Sequence, residues 1–130
     1  MPRICRLEAI VHLVDADHAV RASTQLLLQT AGIEVYAYPT ASEFLIDVRL
    51  QEIKFLVIDV NLPGMTGIEL LEHLRRENIT AAAIFTTARG DSTGLRAAAV
   101  RTGAAVLLKP FKPDHLLAYV KTMFGGPAAS

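Results

Sequence analysis

The stretch Phe55-Leu56-Val57-Ile58-Asp59-Val60-Asn61-Leu62-Pro63-Gly64 joins an apolar run to a carboxylate and then to a turn. Because strands of a parallel sheet are covered on both faces, a continuous apolar run of this length predicts a buried strand. Asp59 then stands at the carboxyl end of the strand, where open α/β sheets carry their chemistry. The stretch therefore predicts an α/β fold with a polar site at one edge of its sheet.

Short apolar runs of this kind alternate with amphipathic stretches along the chain. Strands are predicted at residues 10–14, 33–36, 55–58, 82–86 and 105–108, and the second of them has the weakest pattern. Helices are predicted at residues 18–31, from residue 40, from residue 66, at residues 92–102 and from residue 113. This order predicts a parallel sheet with helices on both faces.

Residues at the predicted helix ends support these boundaries. Thr40-Ala41-Ser42-Glu43 and Thr66-Gly67-Ile68-Glu69 match the capping box, in which the Thr and Glu side chains bind free amides of the first turn. Gly32 is placed to close the first helix in the left-handed conformation, and the fourth helix is expected to end at Gly103. Pro113 suits the first position of the fifth helix, where its missing N–H costs nothing.

The composition fits one domain. Of the 130 residues, 52% are hydrophobic and 20% are charged, so the chain can bury a core of its own. We expect residues 1–124 to form this domain and residues 125–130 to be a flexible tail or the start of a linker. The 13 basic and 13 acidic residues balance. The chain therefore lacks the positive field of non-specific nucleic-acid binding, and no direct binding to nucleic acid is expected.

The expected location follows from three features of the sequence. Cys5 is the only cysteine, so no internal disulfide is possible. No apolar run approaches membrane-spanning length, and the amino-terminal residues do not have the pattern of a secretory signal. We therefore expect a cytoplasmic protein that does not contact the membrane.

Polar side chains also follow three other predicted strands: Asp15, Thr87 and Lys109. A parallel sheet with right-handed crossovers gathers the carboxyl ends of its strands along one edge, where these groups would meet Asp59. Two carboxylates and a backbone carbonyl form a hard oxygen site for Mg²⁺. Each residue alone has a structural explanation, such as a cap or a turn. Together they predict a phosphoryl site with Asp59 as nucleophile, because phosphoryl transfer uses a metal, an ammonium and a hydroxyl donor.

Two proline-containing turns flank this predicted site. Pro63-Gly64 and the following Gly67 mark a tight turn beside Asp59. Lys109-Pro110 can be cis at modest cost, and a cis bond would aim the ammonium inward. Trans remains the expectation from the sequence alone.

At this point the residues closely resemble the CheY-like receiver domain of two-component response regulators, from about residue 11 to residue 124. Asp15, Asp59, Thr87-Ala88 and Lys109-Pro110-Phe111 are similar to the family's motifs in order and spacing. The run from Asp59 to Gly67 resembles the family's phosphoacceptor loop, and the short gap between Asp59 and Thr87 is similar to receivers of the FixJ/NarL type. The resemblance implies a flavodoxin-like five-stranded sheet with strand order 2-1-3-4-5.

The resemblance also implies a function and a set of roles. Asp59 would accept a phosphoryl group from the phosphohistidine of a sensor histidine kinase or of a phosphotransfer protein. Asp15, Asp59 and the backbone carbonyl of Asn61 would hold Mg²⁺, and Thr87 and Lys109 would bind the phosphoryl oxygens. Such a domain is a signalling switch, not an enzyme beyond self-catalysed phosphorylation and dephosphorylation. The resemblance also allows a homodimer through the face of the fourth helix, fifth strand and fifth helix. Arg89, Arg96 and Arg101 are candidate contacts near this face, although a solvated helix face is the interpretation that we favour for them.

Two departures from the receiver pattern affect these expectations. Receivers usually have two adjacent acids after the first strand, whereas this chain has Asp15-Ala16-Asp17. Ala16 cannot bind a metal, so Mg²⁺ binding is expected to be weak; Asp17 is either a further ligand or, as we favour, the cap of the first helix. Val106 stands where the family commonly has a Tyr or Phe that swings inward.

Two other functions remain open from the sequence. The departures at Ala16 and Val106 favour a pseudo-receiver, a binding module that acts without phosphorylation. Asp15-Ala16-Asp17 also resembles the nucleophile motif of haloacid-dehalogenase-like phosphatases, although the acidic pair that those enzymes need after a later strand is not found. The four histidines, His12, His18, His73 and His115, have no metal-binding spacing and are interpreted as structural or surface residues.

Overall fold

Five parallel strands and five helices alternate through residues 10–47, 53–88 and 93–125, the part of the chain that the computed structural model describes. In chain order they are β1 (Ile10–Val14), α1 (His18–Thr30), β2 (Glu34–Tyr38), α2 (Ala41–Asp47), β3 (Phe55–Asp59), α3 (Gly67–Arg76), β4 (Ala82–Thr87), α4 (Thr93–Thr102), β5 (Ala105–Leu108) and α5 (Pro113–Gly125). The strand order is β2-β1-β3-β4-β5. The predicted fold class and strand order are confirmed.

The register of the strands aligns their carboxyl ends. Val14 is paired with Ile58 across β1 and β3, and Asp59 with Thr86 across β3 and β4. Thr87 is paired with Leu108, the residue before Lys109. The polar residues at the strand ends are therefore brought to one edge of the sheet, as the sequence predicted.

Two apolar layers cover the faces of the sheet. On one face, Phe44 of α2, Leu70, Leu71 and Leu74 of α3 and Leu95 of α4 pack with Leu56, Ile58 and Phe85 of the strands. On the other face, Leu28 of α1 and Leu116 and Val120 of α5 pack with Leu13, Val57 and Ile84. Because successive strand residues point to opposite faces, continuous apolar strands supply both layers.

The second strand begins later than predicted. Ile33 was expected to open it, but the amide of Ile33 donates to the carbonyl of Leu28 and so completes the end of α1. Gly32 has φ +88°, the left-handed conformation expected there. β2 instead runs from Glu34 to Tyr38, which is paired with Val14. The helix-closing turn takes the residue that the apolar pattern had assigned to the strand.

β2 also ends at Tyr38, two residues beyond its predicted end, and the boundaries of the other described elements agree within one residue. Thr66 forms both bonds of the capping box with Glu69, whereas at α2 the bond described is the one from the Glu43 amide to the Thr40 hydroxyl. Pro113 begins α5, as predicted. Ser92, predicted to begin the fourth helix, lies outside the described residues. Residue 125, the first of the predicted tail, belongs to α5, and residues 126–130 also lie outside the described part.

His12, predicted to be structural, is buried in an aromatic cluster between β1, β2 and α2. Its ring is stacked on Tyr36 and Tyr38, with centroid distances of 5.7 Å and 6.4 Å, and forms a T-shaped pair with Phe44 at a centroid distance of 6.0 Å. The Tyr38 hydroxyl donates to Asp47 Oδ2 at 3.0 Å. Burial lowers the pKa of His12, and the Asp47 carboxylate opposes this shift.

This environment predicts a pH dependence of stability. Because the folded protein favours neutral His12, the unfolded chain takes up a proton first as the pH falls through about 6.5. The His12 contribution to stability is therefore complete above that pH and decreases from there down to the lowered folded-state pKa. We expect the free energy of unfolding in urea to fall less between about pH 7.5 and about pH 5.5 in His12→Phe than in the wild type. Parallel pH profiles would contradict this assignment.

Candidate functional site

The ammonium of Lys109 joins the two carboxylates at the carboxyl edge of the sheet. Its Nζ lies 3.0 Å from Asp15 Oδ2 and 3.2 Å from Asp59 Oδ2. Asp15 and Asp59 are only 2% and 6% exposed, and Thr87 is buried beside them at the end of β4. Residues 94 positions apart in the chain thus form one polar cluster.

Each carboxylate is also oriented by the loop that follows its strand. The amide of Asp17 donates to Asp15 Oδ1 at 2.9 Å, and the amide of Asn61 donates to Asp59 Oδ1 at 3.0 Å. In both cases the donor is two residues beyond the acid, as in an Asx-turn. Each carboxylate therefore has one oxygen held by a loop amide and the other by Lys109.

The electrostatics of the cluster follow from burial and pairing. The pKa of Asp15 is raised, mainly by burial and in addition by repulsion from the Asp59 carboxylate. The Asp17 amide and Lys109 oppose this shift because they stabilise the charged form of Asp15. Burial alone would lower the pKa of Lys109, but the bonds and charges of Asp15 and Asp59 outweigh it and raise the pKa. Two acids and one ammonium form a site that favours a further cation and holds Lys109 charged.

The loop after Asp59 closes tightly against the strand. The amide of Val60 donates to the Thr86 carbonyl at 2.9 Å, and the amide of Gly67 donates to the Val60 carbonyl at 3.0 Å. A Cβ on Gly67 would lie 2.3 Å from the Asp59 carbonyl oxygen. The sequence interpretation treated Gly67 as a turn marker and missed this close approach, which only the packing of α3 on β3 reveals.

The loop after Asp15 shows the role of Asp17 and a residue that the sequence interpretation missed. Asp17 is exposed and its Oδ1 accepts from the Val20 amide at 3.1 Å, which makes it the N-cap of α1. Arg21, one turn into α1, donates from Nη1 to the Asp15 carbonyl at 2.8 Å. No spacing pattern in the sequence points to this contact, because it depends on how the loop after Asp15 packs against α1.

The end of β5 is hydrogen-bonded to the end of β4. The Lys109 amide donates to the Thr87 carbonyl at 2.7 Å. The Lys109–Pro110 bond is cis, so the expectation of a trans bond was wrong. A cavity of about 340 Å³ opens beside Lys109, lined by Val20, Ser23, Thr24, Ala88, Pro110 and Phe111.

Both departures from the receiver pattern are visible in the structure. Ala16 is exposed beside Asp15, and Val106 packs at the edge of the core layer that contains α4. Within the described residues, no group of three or more His, Cys, Asp or Glu side chains is placed to hold a metal. The two buried carboxylates are nevertheless hard oxygen donors that already attract one cation, and they fit Mg²⁺, which takes few protein carboxylates and keeps several waters.

Comparison with known proteins identifies the family. The sequence model of the family described as the response regulator receiver domain matches residues 11–121, which is most of this chain. The chain belongs to the receiver domain family of two-component response regulators. Receiver domains are signalling domains, and Mg²⁺ and phosphorylation are typical of them.

Relatives and solved structures agree with this membership. The chain is 36% identical to the transcriptional regulatory protein FixJ of Azorhizobium caulinodans, over 91% of this chain and 56% of FixJ. It is 37% identical to nodulation protein W of Bradyrhizobium diazoefficiens, over 85% of this chain and 48% of that protein. A CheY-like receiver domain from Methanospirillum hungatei has a TM-score of 0.81 at 30% identity, covering 88% of this chain and 92% of its own. The chain spans about half the length of the first two relatives.

These findings bear on the other interpretations. The predicted similarity to FixJ-type receivers is confirmed. The comparisons give no support to the pseudo-receiver, and membership of the receiver family contradicts the phosphatase interpretation of Asp15-Ala16-Asp17. Among the described helices, none has the length and apolar character needed to cross a membrane.

Proposed function

We propose that Asp59 is the phosphoacceptor of this receiver domain and that its donor is a phosphohistidine of a sensor histidine kinase or phosphotransfer protein. The observation that carries the proposal is the meeting of Asp59, Asp15 and Lys109 at the carboxyl edge of the sheet. A carboxylate oxygen of Asp59 forms a bond to phosphorus, the phosphorus–nitrogen bond of the donor breaks, and its electron pair returns to the imidazole. This transfer is self-catalysed in the proposal, and so is the later hydrolysis, in which water attacks the phosphorus, the bond from phosphorus to the Asp59 oxygen breaks, and inorganic phosphate leaves the restored carboxylate.

The neighbouring residues stabilise the transferred group. The Lys109 ammonium, now shared by two carboxylates, is placed to neutralise a phosphoryl oxygen on Asp59. Thr87 is buried at the end of the adjacent strand, and in this proposal its hydroxyl donates to a phosphoryl oxygen. Such preorganised charges and donors are the main contribution that a protein makes to phosphoryl transfer.

The proposed Mg²⁺ ligands are the carboxylates of Asp15 and Asp59 and the backbone carbonyl of Asn61. When bound, the ion would neutralise charge on the phosphoryl oxygens. Asp17 is left out of this set because its side chain caps α1. With Ala16 in place of an acid, binding of the ion depends on two carboxylates, and both are already paired with Lys109.

Two surfaces support the proposed partners. The cavity beside Lys109 gives a donor protein a place to dock next to Asp59. Val100 of α4 is 86% exposed and Leu108 at the end of β5 is 52% exposed. A groove of about 410 Å³ lies between β5 and α5, and we propose that it forms the homodimer face together with these exposed apolar residues. Arg96 is exposed there, Arg101 is paired with Glu72 of α3, and Arg89 lies outside the described residues.

Several features of the whole protein also belong to the proposal. We propose the predicted receiver of residues 1–124 with Gly125 added to it, because that residue ends α5, and a tail or linker in the residues that follow. Nucleic-acid binding by this chain is not expected, given its balanced charge. The proposed location is the cytoplasm, since the single cysteine excludes an internal disulfide.

The test is incubation with acetyl phosphate over a Mg²⁺ series, with the intact mass as the readout. We expect one added phosphoryl group whose amount rises with the Mg²⁺ concentration. No adduct at any concentration would contradict the proposal and return the binding-module alternative to consideration.

The absence of an acid at residue 16 should limit the affinity of the site for Mg²⁺. Ala16→Asp adds a carboxylate beside Asp15, so we expect Mg²⁺ to bind roughly tenfold more tightly, because ligand charge strongly affects the affinity for hard cations. Ala16→Asn is the control of the same shape without the charge. Titration calorimetry would show the difference. Equal affinities of the wild type and Ala16→Asp would mean that residue 16 does not face the metal.

A further inference from the structure

Arg21 reaches from α1 back to the end of β1. Its Nη1 donates to the Asp15 carbonyl at 2.8 Å, and its Nη2 lies 3.2 Å from His18 Nδ1. The guanidinium is half-buried, and the amide of Arg21 itself donates to the Asp17 carbonyl inside the helix. One side chain therefore connects the first turn of α1 to the residue that carries a site carboxylate.

Asp15 stands one residue beyond β1, and three bonds define its position in addition to that with Lys109. Its amide donates to the Tyr38 carbonyl at 3.0 Å, its Oδ1 accepts from Asp17, and its carbonyl accepts from Arg21. The last of these has a cationic donor, and charge-assisted bonds are about twice as strong as neutral ones. Removal of Arg21 would leave the Asp15–Ala16 peptide free to rotate, and the carboxylate direction depends on that peptide.

The second site acid is held differently. Asp59 is the last residue of β3, and its loop is closed by the Val60 and Gly67 amides, that is, by the backbone. Among the described residues, Asp15 is the site acid whose main-chain carbonyl accepts from a side chain, that of Arg21, six positions along the chain. Because Ala16 has no carboxylate and Asp17 caps the helix, Asp15 is also the one acid of this loop that is paired with Lys109.

We propose that Arg21 is a positioning residue for the phosphoryl site: it fixes the Asp15 carbonyl and so directs the Asp15 carboxylate toward Lys109 and toward a divalent cation. This inference rests on the proposed function, since it concerns the same site. Arginine suits the position because its planar fork spans the carbonyl and the His18 ring, whereas lysine has one point of contact.

The test compares Arg21→Met, Arg21→Lys and a matched control, Arg76→Met, which removes an exposed arginine at the far end of α3. The first readout uses metal-free protein: amide hydrogen exchange by NMR at Asp17 and at Asn61, whose bonds to the two acids are equivalent. In Arg21→Met we expect the amide of Asp17 to exchange about tenfold faster, because one charged hydrogen bond is lost. The exchange rate at Asn61 should not change.

The second readout is Mg²⁺ affinity by calorimetry at a temperature where all variants are folded. We expect roughly tenfold weaker binding in Arg21→Met, an intermediate loss in Arg21→Lys and wild-type binding in Arg76→Met. If Arg21→Met does not fold, Arg21→Lys is the variant that tests the proposal. In the variant that folds, an unchanged exchange rate at Asp17 together with an unchanged Mg²⁺ affinity would overturn the proposal.

The outcomes separate this inference from the proposed function. A wild type that neither binds Mg²⁺ nor accepts a phosphoryl group defeats the proposed function, whatever the exchange data show. A wild type that does both, with an Arg21→Met variant of equal affinity and equal Asp17 exchange, defeats the role of Arg21. Equal acceleration at Asp17 and Asn61 would also overturn it, because that pattern indicates general loosening of the fold.

Discussion

Asp59→Asn is expected to abolish the phosphoryl adduct at every Mg²⁺ concentration, as measured by intact mass after incubation with acetyl phosphate. The amide has nearly the same shape, and its oxygen can still accept from the Asn61 amide, which now bonds Asp59 Oδ1. What the substitution removes is the anionic oxygen that attacks phosphorus. It also removes one of the two carboxylates that attract a cation. The loss is therefore chemical and not a consequence of unfolding.

Asp15→Asn is the matched comparison. Asp15 has the same burial, the same type of loop bond and the same lysine partner. In our proposal it binds the metal but does not react, so the adduct should form more slowly, by roughly tenfold to a hundredfold, and should still form at high Mg²⁺. An adduct in Asp59→Asn with none in Asp15→Asn would reverse the two roles and identify Asp15 as the acceptor.

The fold was predictable because its central strands, β1, β3 and β4, are buried along almost their whole length. Runs such as Phe55–Ile58 are apolar at every position, and a sheet covered on both faces requires this pattern. The error at β2 has a related cause. β2 is an edge strand in which Glu34 and Tyr36 are exposed, so its pattern is mixed, and the apolar Ile33 belongs to the end of α1. A strand of mixed pattern such as β2 therefore carries a weaker sequence signal than a strand that is apolar at every position.

The site was predictable in part. Asp15, Asp59, Thr87 and Lys109 follow apolar strands, and the parallel topology brings the ends of such strands together. Arg21 and the cis bond before Pro110 were not predictable from these patterns, because they depend on how particular loops meet in space. A side chain that acts on a neighbouring carbonyl has no spacing rule of the kind that strands and helices follow.

Gly67→Ala is expected to destabilise the fold more than the same substitution at Gly32, Gly64 or Gly103. Its Cβ would lie 2.3 Å from the Asp59 carbonyl oxygen and 2.9 Å from Ile58 Cγ2. The first of these is a backbone atom of a central strand and cannot rotate away. Since α3 and β3 would have to separate, we expect a loss of about 3 kcal/mol in the free energy of unfolding in urea.

Gly64→Ala provides the control. Gly64 has φ +74°, but an added Cβ there meets no atom within 4 Å, so the cost is backbone strain alone, about 1 kcal/mol. The two substitutions add the same group on either side of the same turn, one against the strand and one into open space. If Gly67→Ala costs no more than Gly64→Ala, the close contact with Asp59 is not what requires glycine at residue 67. If it costs more and the folded variant also forms less adduct, the contact that stabilises α3 on β3 also holds Asp59 in place for reaction.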